Sequence, residues 1–125
     1  MSTFVSVAQL LDVPSNEVVR DALHHFANDV RAYDGPSVVG VYLYGSRARG
    51  EHHSGSDVDV AVVLSQDFDY WREAGVLSDT AFDYLLDRSV LIDPKPLSLK
   101  AWNNPSSHVN PSLVRAMRRD CKEIR

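Results

Sequence analysis

The chain has 125 residues, 44% of them hydrophobic, and a formal net charge of -4. This length predicts one domain over residues 1–125, with a core from about residue 15 onward, and the composition excludes a disordered protein. The acidic balance argues against nucleic acid as a stable partner, because nucleic-acid-binding proteins present a basic surface. A single cysteine, no signal peptide and no long apolar run favour a cytoplasmic protein without a membrane partner.

The first half of the chain predicts a helix and two strands. Hydrophobic residues recur every three or four positions after Ser15, a typical N-cap residue, which indicates an amphipathic helix. The predicted elements are a weak helix over residues 3–13, a helix from Ser15 to Asp34-Gly35-Pro36, a strand over Val38–Tyr44, a polar loop over residues 48–56 and a strand over Asp57–Leu64.

The second half predicts a helix, a strand and a helix. The elements are a helix over Asp69–Asp87 that Gly75 can interrupt, a strand over Ser89–Asp93 whose pairing Pro94 and Pro96 end, a short turn after Ser98 and a helix from Asn110-Pro111 to Ile124. This order predicts an α/β (α+β) fold, in which a small mixed, twisted sheet has helices packed mainly on one face.

The most informative pattern joins a Gly-Ser turn to a pair of aspartates. Gly45-Ser46 directly follows the first strand, and ten residues separate Ser46 from Asp57-Val58-Asp59. Because side chains alternate along a strand, Asp57 and Asp59 share a face about 7 Å apart and favour a divalent cation between them. A glycine turn lets backbone N–H groups approach an anion, and the Ser46 hydroxyl can add a hydrogen bond. These residues predict a site for a nucleoside triphosphate and Mg²⁺.

Asp93 is the best candidate for a third carboxylate. It ends a predicted strand, and a neighbouring strand can place it beside Asp57 and Asp59. In two-metal transfer a third carboxylate holds the catalytic metal and can accept the proton of the attacking hydroxyl. The plainer alternative is a turn, which an aspartate followed by a proline commonly begins.

Other polar residues near this motif have two interpretations each. Arg47 and Arg49 are either nucleotide-binding residues that contact phosphate or solvated loop charges. His52 and His53 have the residue type of a metal pair, but adjacent histidines diverge, which favours a solvated loop.

Two segments, Tyr44–Gly50 and Ser56–Asp59, resemble the signature of the DNA polymerase β-type nucleotidyltransferases, specifically the minimal nucleotidyltransferase (MNT) branch. Val90–Asp93 is similar to the third-aspartate strand of that family, and the helix after Asn110-Pro111 is similar to its terminal helix. The end of the chain, Arg119–Arg125, departs from the Arg-Glu-Gly pattern that is common among relatives.

The resemblance implies a role for each residue of the motif. Asp57 and Asp59 would bind two Mg²⁺ ions, and Asp93 would bind the catalytic ion and help to deprotonate the acceptor. Gly45 and Ser46 would hold the β- and γ-phosphates of ATP.

The resemblance also implies a metal-dependent nucleotidyltransferase with a protein partner. MNT proteins often pair as antitoxins with a HEPN-domain toxin, and some transfer AMP to a tyrosine of that toxin. This predicts a toxin–antitoxin system, with a HEPN toxin as partner in a homo- or hetero-oligomer. Two alternatives stay open: transfer to a small molecule, as in aminoglycoside nucleotidyltransferases, and a non-catalytic inhibitor that only binds its toxin.

Overall fold

The computed structural model describes residues 15–51 and 55–125. The predicted helix over residues 3–13 and the pair His52-His53 lie outside the described residues. In chain order the elements are helix α1 (Asn16–Asp34), strand β1 (Val38–Tyr44), the four-residue helix α2 (Ser46–Arg49), strand β2 (Val58–Leu64), helix α3 (Tyr70–Arg88), strand β3 (Ile92–Ser98), the short helix α4 (Leu99–Asn103), helix α5 (Pro111–Asp120) and the two-residue strand β4 (Lys122–Glu123).

Short polar side chains fix where the helices begin. The Ser15 hydroxyl accepts a hydrogen bond from the N–H of Val18 at the start of α1. Asp69 caps α3 in the same way, and Asn110 caps α5. Each cap satisfies an N–H group that has no partner within its helix, so the sequence-based helix starts are confirmed.

The strands form a mixed sheet in the order β3-β2-β1-β4. β1 runs antiparallel to β2, whereas β2 runs parallel to β3. The mixed α/β sheet that the sequence predicted is therefore confirmed, and its two central strands are β1 and β2.

Hydrophobic side chains cover both faces of the sheet, but unequally. On one face the long helices α1 and α3 pack on residues of alternating sequence position in β1 and β2, and this cluster includes Phe26, Val30, Val41, Val58, Val60, Val62, Leu77 and Tyr84. On the opposite face α4 and α5 cover only part of the sheet, with Tyr44, Ala61, Leu97, Ala101, Val114 and Met117. The helices thus pack mainly on one face, and the second face is left partly open.

The third strand corrects a sequence-based prediction. The strand was expected to end at Asp93, but β3 runs from Ile92 to Ser98 and pairs with β2 through Pro94 and Pro96. Proline lacks the N–H donor that a central strand needs on both sides, but β3 is an edge strand. Pro94 and Pro96 are two residues apart, so both nitrogens face the unpaired edge and no hydrogen bond is lost.

Three smaller boundaries also differ from the prediction. Helix α2 extends over residues 48 and 49 of the predicted loop, and Gly75 does not interrupt α3. The last helix ends at Asp120, because the chain continues as β4 and pairs with β1. Ile124 is buried there, and its N–H donates to the carbonyl of Val41 at 2.8 Å.

Neither long helix has the character of a membrane span. Among the described residues, no helix combines the length and the apolar content that crossing a bilayer requires.

Candidate active site

Asp59 lies at the centre of the partly open face of the sheet. Its partner across the antiparallel pair is Tyr44 of β1, and its partner across the parallel pair is Asp93 of β3. Because residues at the same level of adjacent strands point to the same face, the three side chains stand side by side. The two carboxylates that the sequence placed on separate strands are therefore neighbours.

Gly45 lies directly against the Asp59 carboxylate. A Cβ added to Gly45 would come within 2.5 Å of Asp59 Oδ2, which is closer than atoms of that kind approach. Gly45 also has φ of 78° and ψ of -157°, a conformation that only glycine adopts readily. The glycine is needed both for the turn after β1 and for the space beside Asp59.

The short helix α2 starts at Ser46, immediately after this turn. The N–H groups of Ala48 and Arg49 donate to the carbonyl of Gly45 at 3.1 and 3.2 Å, which closes its first turn. Ser46 is thus placed at the end of α2 that adjoins Asp59. The structure brings Gly45, Ser46 and Asp59 together as the spacing in the sequence suggested.

Asp57 adds a third carboxylate at the entrance to β2. It is exposed and immediately precedes the strand, whose first N–H, that of Val58, donates to the carbonyl of Leu91 at 2.8 Å. Burial raises the pKa of Asp59, and the negative charges of Asp93 and Asp57 raise it further. These charges act on one another, as expected of carboxylates that form one acidic group.

Lys95 supplies positive charge to this acidic group. Its ammonium donates to Asp93 Oδ2 at 2.8 Å. Burial lowers the pKa of Lys95, but the hydrogen bond to Asp93 and the negative charges of Asp93 and Asp59 outweigh burial, and the pKa is raised. Lys95 is therefore a protonated amine held beside the carboxylates.

Tyr44 lies beside the same acidic group, as the partner of Asp59 on the neighbouring strand. Burial raises the pKa of the Tyr44 hydroxyl to about 12, although the charge of Lys95 opposes that rise. The hydroxyl therefore stays protonated at neutral pH and can donate a hydrogen bond.

Arg47 supports the loop that leads to the aspartates. Its side chain is only 8% exposed, and its Nε donates to the carbonyl of Ser56 at 3.1 Å. It lines a cavity with Val19 and Leu43, on the face of the sheet that α1 covers. Burial and this bond give Arg47 a scaffolding role and exclude the solvated loop charge considered from the sequence, whereas the phosphate contact stays a prediction.

Arg49 is placed differently, at the surface beside the acidic group. Its guanidinium donates to Glu51 and to Asp120 at the end of α5, both at 2.9 Å. Its positive charge opposes the rise in the pKa of Asp59, which burial still keeps above its ordinary value. Arg49 is therefore near enough to act on an anion bound over Asp59, and Asp120 holds it in position.

The carboxylates of the site are of the ligand type that Mg²⁺ prefers, and two of them lie on neighbouring strands. Asp59 and Asp93 offer carboxylate oxygens from neighbouring strands, with Asp57 at the edge, and oxygen ligands are those that Mg²⁺ prefers. Within residues 15–51 and 55–125, however, no three acidic, histidine or cysteine side chains converge on one point. In the structure Asp93 Oδ2 accepts a hydrogen bond from Lys95.

Three residues of the site were not identified from the sequence. Lys95 and Asp93 are two residues apart on one strand, so their side chains share a face of the sheet. The sequence-based strand ended at Asp93, and the alternation of side chains therefore could not be applied to Lys95. Tyr44 was predicted only as the last residue of a strand. Asp120 could not be found, because its contact with Arg49 joins residues that are far apart in the chain.

Comparison with known protein families assigns the fold to one class. Residues 23–102, most of the chain, match the family model described as nucleotidyltransferase domain. The chain belongs to that family. No curated protein gives a match in sequence.

Solved structures with the same fold include a candidate nucleotidyltransferase from Sulfolobus solfataricus. It has 18% identity and a TM-score of 0.60, over 98% of this chain and 90% of that chain. A toxin–antitoxin structure with AMP-PNP has 21% identity and a TM-score of 0.51, over 82% of this chain and 72% of that chain.

A further similar structure is a tri-AMPylated Shewanella oneidensis HEPN toxin in complex with its MNT antitoxin. It has 17% identity and a TM-score of 0.50, over 85% of this chain and 71% of that chain. At these identities the likeness shows a shared fold, in agreement with the sheet and helices described above.

Proposed function

We propose that this nucleotidyltransferase domain transfers a nucleoside monophosphate, AMP from ATP, to a hydroxyl of a partner protein, and that the partner is a HEPN-type toxin. The observation that carries the proposal is the register of the sheet, in which Asp59 and Asp93 are direct neighbours and Gly45 lies against Asp59. This geometry juxtaposes an anion-binding turn and a carboxylate group, as transfer from a nucleoside triphosphate requires.

The triphosphate would lie across Gly45 and Ser46. The absence of a side chain at Gly45 lets the turn lie directly against the Asp59 carboxylate, and the Ser46 hydroxyl beside it can donate a hydrogen bond to a phosphate. Arg49 is exposed at the same edge and would neutralise phosphate charge. Arg47 would contribute indirectly, by holding the Ser56 carbonyl and thus the position of Asp57.

Asp57, Asp59 and Asp93 would hold two Mg²⁺ ions. When bound, these ions would stabilise charge on the attacking and leaving oxygens. The Lys95 ammonium, which donates to Asp93 Oδ2 in the structure, would lie beside these ions and could contact the triphosphate or the acceptor.

The reaction would be an in-line displacement. The oxygen of the acceptor hydroxyl forms a bond to the α-phosphorus, and the bond from that phosphorus to the bridging oxygen of the β-phosphate breaks. Pyrophosphate leaves, and Asp93 accepts the hydroxyl proton. The half-exposed side chain of Asp93 on an edge strand leaves room for an acceptor that another protein supplies.

Two of the structures with this fold support the choice of acceptor. One is a toxin–antitoxin structure with AMP-PNP, and the other contains a tri-AMPylated HEPN toxin with an MNT antitoxin. In the present chain α4 and α5 cover only part of the sheet face that carries Asp59, and Asp93 stands on the edge strand. A hydroxyl that a second protein presents from outside can therefore reach the carboxylates.

The test is incubation of the chain with Mg²⁺, labelled ATP and the protein encoded by the neighbouring gene, followed by intact mass spectrometry. We expect the partner to gain one or more AMP units. Asp59→Asn and Asp93→Asn should each lower the rate by about 100-fold or more, because each removes a charge from the reacting centre. Asp67→Asn is the matched control, because Asp67 lies beyond the opposite end of β2.

The possible outcomes separate the alternatives. Tight partner binding without any mass gain would replace transfer by simple inhibition of the toxin. A mass gain that persists in Asp59→Asn would mean that the transfer occurs at another site. Transfer of a different nucleotide would keep the class of reaction and change the donor.

A further inference from the structure

Helix α3 carries a row of large apolar side chains that face solvent. Trp71 is 82% exposed, Phe82 is 53% exposed and Leu86 is 67% exposed. With Gly75 and Ser78 between them, these positions recur at helical spacing and form one face of α3, which we name the apolar row. The opposite face of α3, with Leu77, Ala81 and Tyr84, is the one buried on the sheet.

The apolar row is presented by an ordered helix. Asp69 caps the start of α3, and the ring of Tyr70 packs edge-on against Trp71 with centroids 5.2 Å apart. A row of exposed large apolar side chains that includes a tryptophan is uncommon on an isolated domain and marks an interaction site. Tryptophan is also the residue type that contributes most to protein interfaces.

Acidic residues follow one flank of the apolar row. Asp79, Asp83 and Asp87 are each four residues apart, so they lie one above another along the last turns of α3. All three are exposed. The surface therefore combines an apolar row with a negative flank, and it is distant from the Gly45–Asp59 site because α3 covers the other face of the sheet.

We propose that this face of α3 docks an amphipathic helix of a partner protein, whose own apolar row is flanked by lysine or arginine. Apolar side chains at helical spacing fit a row of the same spacing, and the aspartates would pair with the basic flank. The charges would set the orientation of the partner and exclude acidic helices. This proposal concerns binding and is independent of the transfer reaction.

Two other occupants fit the charges less well. A second copy of the chain, packed antiparallel through the same face, would place its own three aspartates on the same side as those of the first copy. Residues 1–14 of the chain contain no lysine or arginine, so they cannot provide the basic flank. Charge complementarity therefore selects a basic partner helix.

The first experiment asks whether the apolar row is free. In a Trp102→Phe background, Trp71 is the single tryptophan of the chain, and its accessibility is measured by acrylamide quenching. We expect emission and quenching like those of free tryptophan at every protein concentration. Protection that does not depend on concentration would mean that the chain covers its own α3, and protection that grows with concentration would mean self-association. Either result would overturn the proposal.

The second experiment measures the charge preference with two tryptophan-free helical peptides of the length of α3. Both carry one leucine row, and they differ only in having lysine or glutamate along the flank. We expect the lysine peptide to shift Trp71 emission to shorter wavelength and to bind at least about tenfold more tightly than the glutamate peptide, with the preference weakening at high salt.

Variants of the exposed residues give the matched controls. The triple change Asp79→Lys, Asp83→Lys and Asp87→Lys is expected to reverse the preference, and Phe82→Ser with Leu86→Ser is expected to abolish binding of both peptides. Circular dichroism confirms that each variant is folded. Equal binding of the two peptides, or binding that survives the loss of Phe82 and Leu86, would refute the docking surface.

Discussion

Gly45 shows how a single hydrogen atom in place of a side chain shapes the candidate site. The residue combines a positive φ with direct contact to Asp59, so a substitution acts through strain and through steric overlap at once. Gly50, at the end of the same short helix, also has a positive φ of 73°, but a Cβ added there would meet nothing within 4 Å. The two glycines therefore separate the two effects.

We predict that Gly45→Ala lowers the rate of nucleotide transfer by about 100-fold, whereas Gly50→Ala leaves the rate almost unchanged. Both changes should cost about 1–2 kcal/mol of stability, because both force a side chain into a left-handed or extended positive-φ region. Only Gly45→Ala also displaces the Asp59 carboxylate, and a displacement of that kind can lower the rate by about 100-fold. Thermal unfolding and transfer rate, measured on both variants, provide the check. Equal transfer by the two variants would contradict the role given to Gly45.

The sequence identified the carboxylates but not what surrounds them. Asp57 and Asp59 could be found because their spacing lies within one strand and is local. Lys95 was not predicted as a site residue, because Pro94 and Pro96 indicated that the strand ends before it. Prolines usually interrupt strand pairing, and they are tolerated here because β3 lies at the edge of the sheet. The edge position of β3 depends on the order of the strands in the sheet, and a local sequence pattern does not predict that order.

The short helix after β1 carries two arginines, one buried and one exposed. Arg47 and Arg49 are two residues apart on α2, so their side chains leave the helix in different directions. Arg47 is buried against the loop before β2, and Arg49 is exposed beside Asp120. Although both residues are arginines, Arg47 therefore has a structural role and Arg49 a role at the surface.

We predict that glutamine at each position gives a different defect. Arg47→Gln should lower the melting temperature, because it removes a buried hydrogen bond from a charged group to the Ser56 carbonyl. Arg49→Gln should leave stability almost unchanged, since surface ion pairs contribute little, but should raise the KM for the triphosphate several-fold. The measurement is a thermal scan beside steady-state kinetics. A normal melting temperature for Arg47→Gln would remove its scaffolding role.

The helix boundaries were predictable because their signals are adjacent in the chain. Ser15, Asp69 and Asn110 each mark the first turn of a helix by a side chain that reaches only three residues ahead. The end of the last helix was not predictable in this way. The pattern of apolar residues continues to Ile124, but the pairing of β4 with β1 ends the helix at Asp120.

At the scale of the whole molecule, one buried contact between α1 and α3 makes stability depend on pH. Glu73, 8% exposed, lies beside Asp34. Burial raises the pKa of Glu73 to about 7, and the hydrogen bond and charge of Asp34 add to the rise. A proton shared between the two carboxyls accounts for Asp34 Oδ2 and Glu73 Oε1, which are buried without another donor in the described part of the chain.

We predict that stability falls as the pH rises from about 5 to about 8. The pKa of Glu73 is higher in the folded chain than the ordinary 4.5, so the folded state binds the proton more tightly. The stabilisation is complete below the ordinary pKa and is lost as the pH passes through about 7. The loss should be on the order of 1 kcal/mol, or about 4 °C in Tm.

Glu73→Gln is expected to flatten this dependence, because its amide donates to Asp34 at every pH. Glu17→Gln is the control, since Glu17 is exposed on the first turn of α1, and it should retain the slope of the unmodified chain. Melting temperatures in matched buffers provide the comparison. Parallel curves for the unmodified chain and Glu73→Gln would show that the shared proton does not govern stability.

The prolines of β3 also determine how this molecule can associate. One outer strand has Pro94 and Pro96 facing its unpaired edge, and the other, β4, is only two residues long and charged. A strand from another chain therefore finds no continuous row of donors and acceptors to extend, which protects the protein against edge-to-edge aggregation. Any lasting complex of this chain must form through its helices and loops, and crowded solutions of it should remain dispersed.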